Sequence, residues 1–217
     1  MAKYMKKRFV IFAIPISILV LIDQAIKTII ANTFIVANFS EEAAYVGNLT
    51  HITLISGVLY FRPYQNIHGG SIQSLFGYIM PLYQSIILYT VTLCVIIMAY
   101  RLLKFWASDW DKYKYLPDVA FVLLVSAVFS RFIDAIFWGG VIDYLQLFDW
   151  WFIFDLIDVT NKVGVAAVVL YAIIFLVKYF KLSKEERKEV DEKCKILPWL
   201  KAGLPLEYND RTNNINT

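Results

Sequence analysis

The sequence has few of the residues that build disulfide frameworks and metal centres. Only two cysteines and two histidines occur among its 217 residues. Cys94 lies in an apolar stretch and Cys194 in a polar one, so we expect no disulfide framework. A metal centre usually takes several histidine or cysteine ligands. The sequence therefore predicts neither a metal nor another cofactor.

Basic residues are scarce in two segments of the chain. Residues 31–80 contain only Arg62, and residues 138–158 contain none. Lysine and arginine cluster instead before the first apolar block, between the second and third, and after the fourth. Cytoplasmic loops of membrane proteins carry such an excess of basic residues. We therefore expect both termini in the cytoplasm and residues 138–158 on the outer face.

Apolar residues are abundant and fall into four blocks. The chain is 59% hydrophobic and has a mean hydropathy of +0.57, whereas soluble domains are usually about 45–50% apolar. The blocks run over residues 8–30, 81–103, 117–137 and 163–180, close to the length of about 20 residues that crosses a bilayer. The first continues past the point where a signal peptide would be cut. The sequence thus predicts an all-α polytopic membrane protein with four transmembrane helices.

The segment between the first two blocks, residues 31–80, is too long to be a simple turn. Its runs at 51–55 and 57–61 are rich in β-branched and aromatic residues, which favour strands. We expect this segment to form a small extracytoplasmic β-rich layer on the membrane surface.

Beyond the fourth block the chain becomes polar. Ser183 and Glu186 have the spacing of a capping box and predict a charged helix that ends near Lys195. The sequence therefore predicts a four-helix membrane domain at residues 1–180 and a charged, solvated cytoplasmic tail at residues 181–217.

Carboxylates cluster where the chain should meet the membrane surface. Asp23 and Lys27 are four residues apart, in the order that favours an ion pair on one helix face. We interpret them as a pair that fixes the first helix against its neighbours, with direct catalysis as the alternative. Asp143 and Asp158 could act together, because two neighbouring carboxyl groups cannot both ionise cheaply. One would take a proton from water while the other donates one; the alternative is that both are merely solvated.

Several motifs, in order and spacing, resemble those of the lipoprotein signal peptidase family, also called signal peptidase II. They are D-Q-A-I-K at residues 23–27, S-R-F-I-D-A at 130–135, G-G-V-I-D-Y at 139–144 and F-D-L-I-D at 154–158, followed by Gly164. The resemblance covers residues 1 to about 180. It implies an intramembrane aspartyl endopeptidase that removes the signal peptide from diacylglyceryl-modified prolipoproteins.

The resemblance also implies roles for individual residues. Asp143 and Asp158 match the family's catalytic aspartates. Positions that would support the site are Asp23, Lys27, Arg131, Asp134, Gly139 and Asp155, and the substrate-binding loop would hold Asn66, Gly69 and Gly70. The implied partners are the lipid-modified prolipoprotein and membrane lipid, with no nucleic acid. The expected protein is a monomer in a bacterial cell membrane.

Three polar positions of the family motifs differ in this chain. The family has asparagine where this chain has Arg131 and Asp155, and arginine where it has Ala135. Arg131 lies one helical turn before Ala135 on the same face. We hypothesise that Arg131 and Asp155 form an ion pair in place of two amides, because a third carboxylate beside Asp158 would otherwise disturb the catalytic pair.

Two other functions stay open from the sequence alone. The departures would permit a family member that binds lipidated peptides without cutting them. Intramembrane carboxylates would also suit a small transporter or proton-relay protein. Transporters usually show internal repeats or broken helices, and we find no convincing repeat in this sequence.

Overall fold

The computed structural model describes residues 2–33, 37–38, 52–66, 81–107, 113, 115–148 and 153–193. Its helices are α1 (Ala2–Thr33), α2 (Leu82–Ala107), α3 (Leu116–Ile133), α4 (Leu156–Lys181) and α5 (Lys184–Lys193). Its strands are β1 (Ala37–Asn38), β2 (Ile52–Ile55), β3 (Leu59–Asn66), β4 (Val141–Leu147) and β5 (Ile153–Phe154).

Within these residues, four helices are long and apolar enough to cross a membrane. The spans are Val10–Thr33, Leu82–Trp106, Leu116–Trp138 and Leu156–Lys181. Large apolar side chains on them face outward; Leu21, for example, is 67% exposed. Lipid tails accept such surfaces, whereas a large exposed apolar patch is unusual on a soluble monomer. The predicted four-helix membrane architecture is confirmed.

The β-rich layer is larger than the sequence predicts. β3 pairs antiparallel with β2, as expected, but it also pairs antiparallel with β4, and β4 pairs with β5. The two-residue strand β1 lies parallel to β3. The sequence indicates no strand within residues 138–158 and would make them a simple outer loop. That prediction is wrong for β4 and β5, because the hydrogen-bonding partner of β4 comes from a distant segment.

The chain divides into two compact units. The first comprises residues 1–92 and 125–161, and the second residues 93–124 and 162–217. In the first unit, Ile30 on α1 packs with Ile142 and Tyr144 on β4 in a buried cluster. This apolar contact ties the end of α1 to the sheet. The division predicted from the sequence, at residue 180, stays a prediction.

In the second unit, Asp118 on α3 accepts hydrogen bonds from Tyr100 (2.8 Å) and Lys104 (3.0 Å), both on α2. At Gly164 on α4, an added Cβ would lie 2.9 Å from a side-chain carbon of Leu124, so glycine permits a close approach to α3.

The polar stretch after α4 forms the short helix α5, as predicted. The Ser183 N–H donates to a Glu186 carboxylate oxygen at 2.8 Å, and the Glu186 N–H donates to Ser183 Oγ at 3.3 Å. The predicted capping box is therefore confirmed. The described part of α5 ends at Lys193.

Candidate active site

A lysine buried on α1 gathers three carboxylates. The Lys27 Nζ lies 2.8 Å from Asp23, 2.7 Å from Asp134 and 2.8 Å from Asp155, and all four side chains are fully buried. A charge this deep in a membrane domain is tolerated only when it is paired. The predicted Asp23–Lys27 pair is confirmed, and it joins α1 to two other elements. We call Asp23, Lys27, Asp134 and Asp155 the Lys27 cluster.

Asp134 lies just after the last residue of α3, where the helix changes its form. Residues Asp134–Trp138 form one π-helical turn, a wider turn that often occurs at functional sites. The turn ends at Gly139, whose φ of +64° lies in the left-handed region that glycine adopts without strain. Gly139 thus allows the chain to leave the π-helical turn without backbone strain, and its role in supporting the site stays a prediction.

Three residues to which the sequence analysis assigned no role complete the polar interior. Gln24 Nε2 donates to Ser130 Oγ at 3.0 Å and to Asp134 at 2.8 Å. Gln24 Oε1 accepts a hydrogen bond from Trp138 Nε1 at 3.2 Å. Ser130 Oγ donates to Asp23. Gln24 and Ser130 lie within the family-like motifs, and that was the only signal for them in the sequence.

Asp155 begins α4 as its N-cap. Its Oδ1 accepts a hydrogen bond from the Asp158 N–H at 2.8 Å, and the Tyr144 hydroxyl accepts one from the Leu156 N–H at 3.1 Å. Both bonds satisfy N–H groups that a helix leaves unpaired at its start. The fourth helix consequently begins at Leu156 and not at Val163, and Asp158 lies in its first turn.

Arg131 connects the Lys27 cluster to Asp158. Its guanidinium donates to both Asp155 oxygens at 2.9 and 3.0 Å, and its Nη2 donates to Asp158 Oδ1 at 2.6 Å. Arg131 Nη1 also lies 3.3 Å from Asp134. The predicted Arg131–Asp155 ion pair is present; its contact with Asp158 was not predicted. Burial alone would raise the pKa of Asp155, but Arg131 and Lys27 outweigh burial and hold it below its ordinary value.

Asp143 differs from the other carboxyl groups of the site in how few hydrogen-bond partners it has among the described residues. It is 5% exposed, and its Oδ1 has no hydrogen-bond partner among the described residues. Asp143, Asp155 and Asp158 each have a carboxylate oxygen within 4.8 Å of the others, so the expected convergence of Asp143 and Asp158 is observed. Burial raises the pKa of Asp143 to about 8, although Arg131 opposes this rise. Asp143 is therefore mostly protonated at neutral pH.

Comparison with known proteins identifies a family for this chain. The family described as Signal peptidase (SPase) II matches residues 15–175. The chain belongs to the signal peptidase II family. A search of curated proteins gives no match.

Two solved structures, both titled as bacterial membrane enzymes determined by the in meso method, share the fold of this family member. The first, at 2.3 Å resolution, has a TM-score of 0.54 and 18% identity, and the alignment covers 75% of this chain and 87% of the other. The second, at 1.9 Å resolution, has a TM-score of 0.53 and 19% identity, with 73% and 90% coverage.

The family-like loop is only partly within the described residues. Asn66 is the last residue of β3 and pairs with Val141, at the start of the strand that carries Asp143. Gly69 and Gly70 lie outside the described residues. The role of these three residues in binding substrate stays a prediction.

Among the described residues, two groups of three carboxylates are close enough together to suggest a metal site. Asp23, Asp134 and Asp155 form one, and Asp143, Asp155 and Asp158 the other. Each group already contacts a side-chain cation, Lys27 in the first and Arg131 in the second. A divalent ion would have to displace that cation or lie against it. The donor set therefore fits internal ion pairing better than metal ligation.

Proposed function

We propose that this family member is an aspartyl endopeptidase that removes the signal peptide from diacylglyceryl-modified prolipoproteins, with Asp143 and Asp158 as its catalytic groups. The closeness of these two carboxyl groups carries the proposal. Their oxygens lie within 4.8 Å of each other, and membership of a peptidase family supports the reaction class.

The two carboxyl groups have the environments that the reaction needs. Asp143 is buried, whereas the Asp158 side chain is 33% exposed and open to water and substrate. In an aspartic peptidase, one carboxylate takes a proton from the attacking water while the other group protonates the carbonyl oxygen. Neither step draws on a metal or another cofactor.

The Lys27 cluster and Arg131 would support the reaction by holding the pair in place. Lys27 links α1 to Asp134 at the end of α3 and to Asp155 at the start of α4. Arg131 links the same end of α3 to Asp158. Catalytic groups must be held to within about 0.5 Å of their productive positions, and charged bonds between buried side chains provide such rigidity.

The site would lie at the outer face of a bacterial cell membrane, with both termini in the cytoplasm. The distribution of basic residues supports this orientation. The acyl chains of the substrate would stay in lipid while its scissile bond reaches Asp143 and Asp158. The enzyme would act as a monomer without nucleic acid.

Cleavage of a lipid-modified prolipoprotein tests the proposal. The full chain, purified in detergent and returned to liposomes, should cut the diacylglyceryl-modified precursor and leave the unmodified precursor intact. Asp143→Asn and Asp158→Asn should each reduce turnover by about 10²–10⁴-fold. Asp118→Asn is the matched control, because Asp118 lies in the other compact unit and bonds to Tyr100 and Lys104. Wild-type turnover in Asp143→Asn would contradict the site assignment.

A second candidate function is capture of lipidated peptides without cleavage. The observation in its favour is the 2.6 Å contact between Arg131 and Asp158, which neutralises one member of the pair. Saturable binding of the lipidated precursor by a wild-type protein that yields no product would support this alternative.

A further inference from the structure

Arg131 contacts the two members of the carboxyl pair unequally. We propose that Arg131 determines where the proton of the pair resides: Asp158 is the carboxylate that takes a proton from water, and Asp143 is the acid that donates one. This inference rests on the proposed peptidase function and assigns each aspartate its step.

Asp158 and Asp143 differ in their contact with Arg131. The Arg131 Nη2 lies 2.6 Å from Asp158 Oδ1, slightly shorter than the range of about 2.7–2.9 Å that is usual for such charged hydrogen bonds. In the described part of the chain, Arg131 makes no ion pair or hydrogen bond with Asp143. Because a guanidinium stays protonated at any physiological pH, its direct contact favours the ionised form of Asp158 over that of Asp143.

The surroundings of Asp143 favour the neutral acid. An ionised oxygen at its buried Oδ1 would have no donor among the described residues, and such burial of a charge is costly. The charged groups that act on Asp143 are Arg131 from α3, Lys27 from α1, and Asp155 and Asp158 from the start of α4. Tyr64, which pairs with Asp143 from the neighbouring strand β3, is a further titratable group beside it. For Asp143, burial is the largest influence, and the two nearby aspartates add to it.

A hydrolytic cycle that begins from this proton distribution balances. Water attacks the carbonyl carbon and gives one proton to the Asp158 carboxylate, while the Asp143 acid gives its proton to the carbonyl oxygen. The resulting gem-diol then returns a proton to Asp143 as the C–N bond breaks, and Asp158 donates its new proton to the departing amine. Both aspartates end the cycle as they began it, and no further reactant is consumed.

Arg131 is itself held in place by neighbouring charges. Asp155 accepts two hydrogen bonds from its guanidinium and also lies 2.8 Å from Lys27. Positive and negative side chains therefore alternate along a line of contacts that ends at one member of the pair. In order, they are Lys27, Asp155, Arg131 and Asp158.

The pH dependence of cleavage tests the proposal. Activity requires protonated Asp143, so the rate of the wild type should fall as the pH rises through about 8. Arg131→Gln removes a cation that lowers the pKa of Asp143. The alkaline limb of the pH–rate profile, where the rate falls, should therefore move up by about 1 pH unit. Asp155→Asn removes an anion that raises the same pKa, so its limb should move down. Arg131→Lys keeps the positive charge. Its alkaline limb should therefore lie close to that of the wild type, even where its rate stays lower.

The matched control is Arg62→Gln, which makes the same change on β3, where Arg62 donates to Gln146 at 3.3 Å. Its alkaline limb should coincide with that of the wild type. Loss of rate in Arg131→Gln and Asp155→Asn with both limbs unmoved would overturn the proposal, because a purely structural role predicts that result. If Arg131→Gln does not fold, the Arg131→Lys and Asp155→Asn profiles still decide.

Infrared spectroscopy locates the proton without turnover. Near neutral pH, the stretching band of a protonated carboxyl group should disappear in Asp143→Asn and persist in Asp158→Asn. The opposite pattern would overturn the assignment. A wild type that shows the expected band but does not cut the lipidated precursor would contradict the peptidase function and leave the proton assignment intact.

Discussion

The Lys27 cluster and the Asp143–Asp158 pair belong to the same compact unit, but their buried carboxyl groups differ in the partners they contact. In the cluster, one ammonium lies 2.7–2.8 Å from three fully buried carboxylates. In the pair, Asp143 has a buried oxygen with no hydrogen-bond partner among the described residues. Asp23 also has one such oxygen, but its other oxygen contacts both Lys27 and Ser130.

This difference separates groups that hold the site together from a group that can react. Removing the partner of a buried, paired carboxylate leaves an uncompensated charge, so such pairs hold the structure together. A buried carboxyl group without such a partner keeps its proton to a higher pH, and perturbed groups of this kind concentrate at functional sites. The variants below test whether the two groups differ in this way.

The largest loss of stability should come from Lys27→Met. This change leaves three buried carboxylates without their shared cation, and breaking a buried ion pair from one side costs about 3–5 kcal/mol. Unfolding in detergent, followed by helical circular dichroism, measures the loss. Lys104→Met is the control, because the Lys104–Asp118 pair is partly exposed and should contribute only about 0–1 kcal/mol. Equal losses in the two variants would contradict the distinction.

An intermediate effect should come from Arg131→Asn and Asp155→Asn, made singly and together. Each single change leaves a buried charge without its main partner, whereas the double variant has the two amides of the family. We expect a coupling of about 0.5–3 kcal/mol in the free energy of unfolding, and partial recovery of turnover in the double variant. If its loss equals the sum of the single losses, the two residues do not act as a unit.

A smaller effect should follow from Tyr144→Phe. The variant keeps the ring, which packs with Ile30 and Ile142, but loses the hydroxyl that accepts the Leu156 N–H. A single hydrogen bond of this kind contributes about 1 kcal/mol. Thermal unfolding should show this loss, and hydrogen exchange should be faster at Leu156. Unchanged exchange at Leu156 would show that the hydroxyl does not cap α4.

Asp143→Asn should change stability in the opposite direction to the variants above, although it should remove most of the activity. The pKa of Asp143 is about 8 in the folded state and about 3.9 in an unfolded chain. The folded state therefore binds the extra proton between these values, and wild-type stability should fall as the pH rises through that window. Asn has no proton to lose, so the variant should gain relative stability towards alkaline pH. A parallel pH dependence in both proteins would show that Asp143 is not buried as an acid.

Much of the fold could be predicted from the sequence, because a membrane imposes simple requirements on it. The four apolar blocks predicted the four helices, and the spacing of Asp23 and Lys27 predicted an ion pair that the structure contains. Strand β4 was missed, since its pairing with β3 joins segments far apart in the chain. The start of α4, which Asp155 caps, was also missed, because the polar residues 160–162 interrupt the apolar run on which the prediction relied.

By itself, the sequence determined the membrane architecture, the family and the identity of the carboxylates that meet at the site, because helix length, spacing along a helix and motif order are local properties of the chain. Only the tertiary structure decided that Arg131 reaches Asp158 as well as Asp155, and that Gln24 joins Ser130, Asp134 and Trp138. Those contacts depend on how α1, the end of α3 and the start of α4 pack together. The charge of a buried carboxyl group depends on the neighbours that this packing brings near, and the order of residues does not specify them.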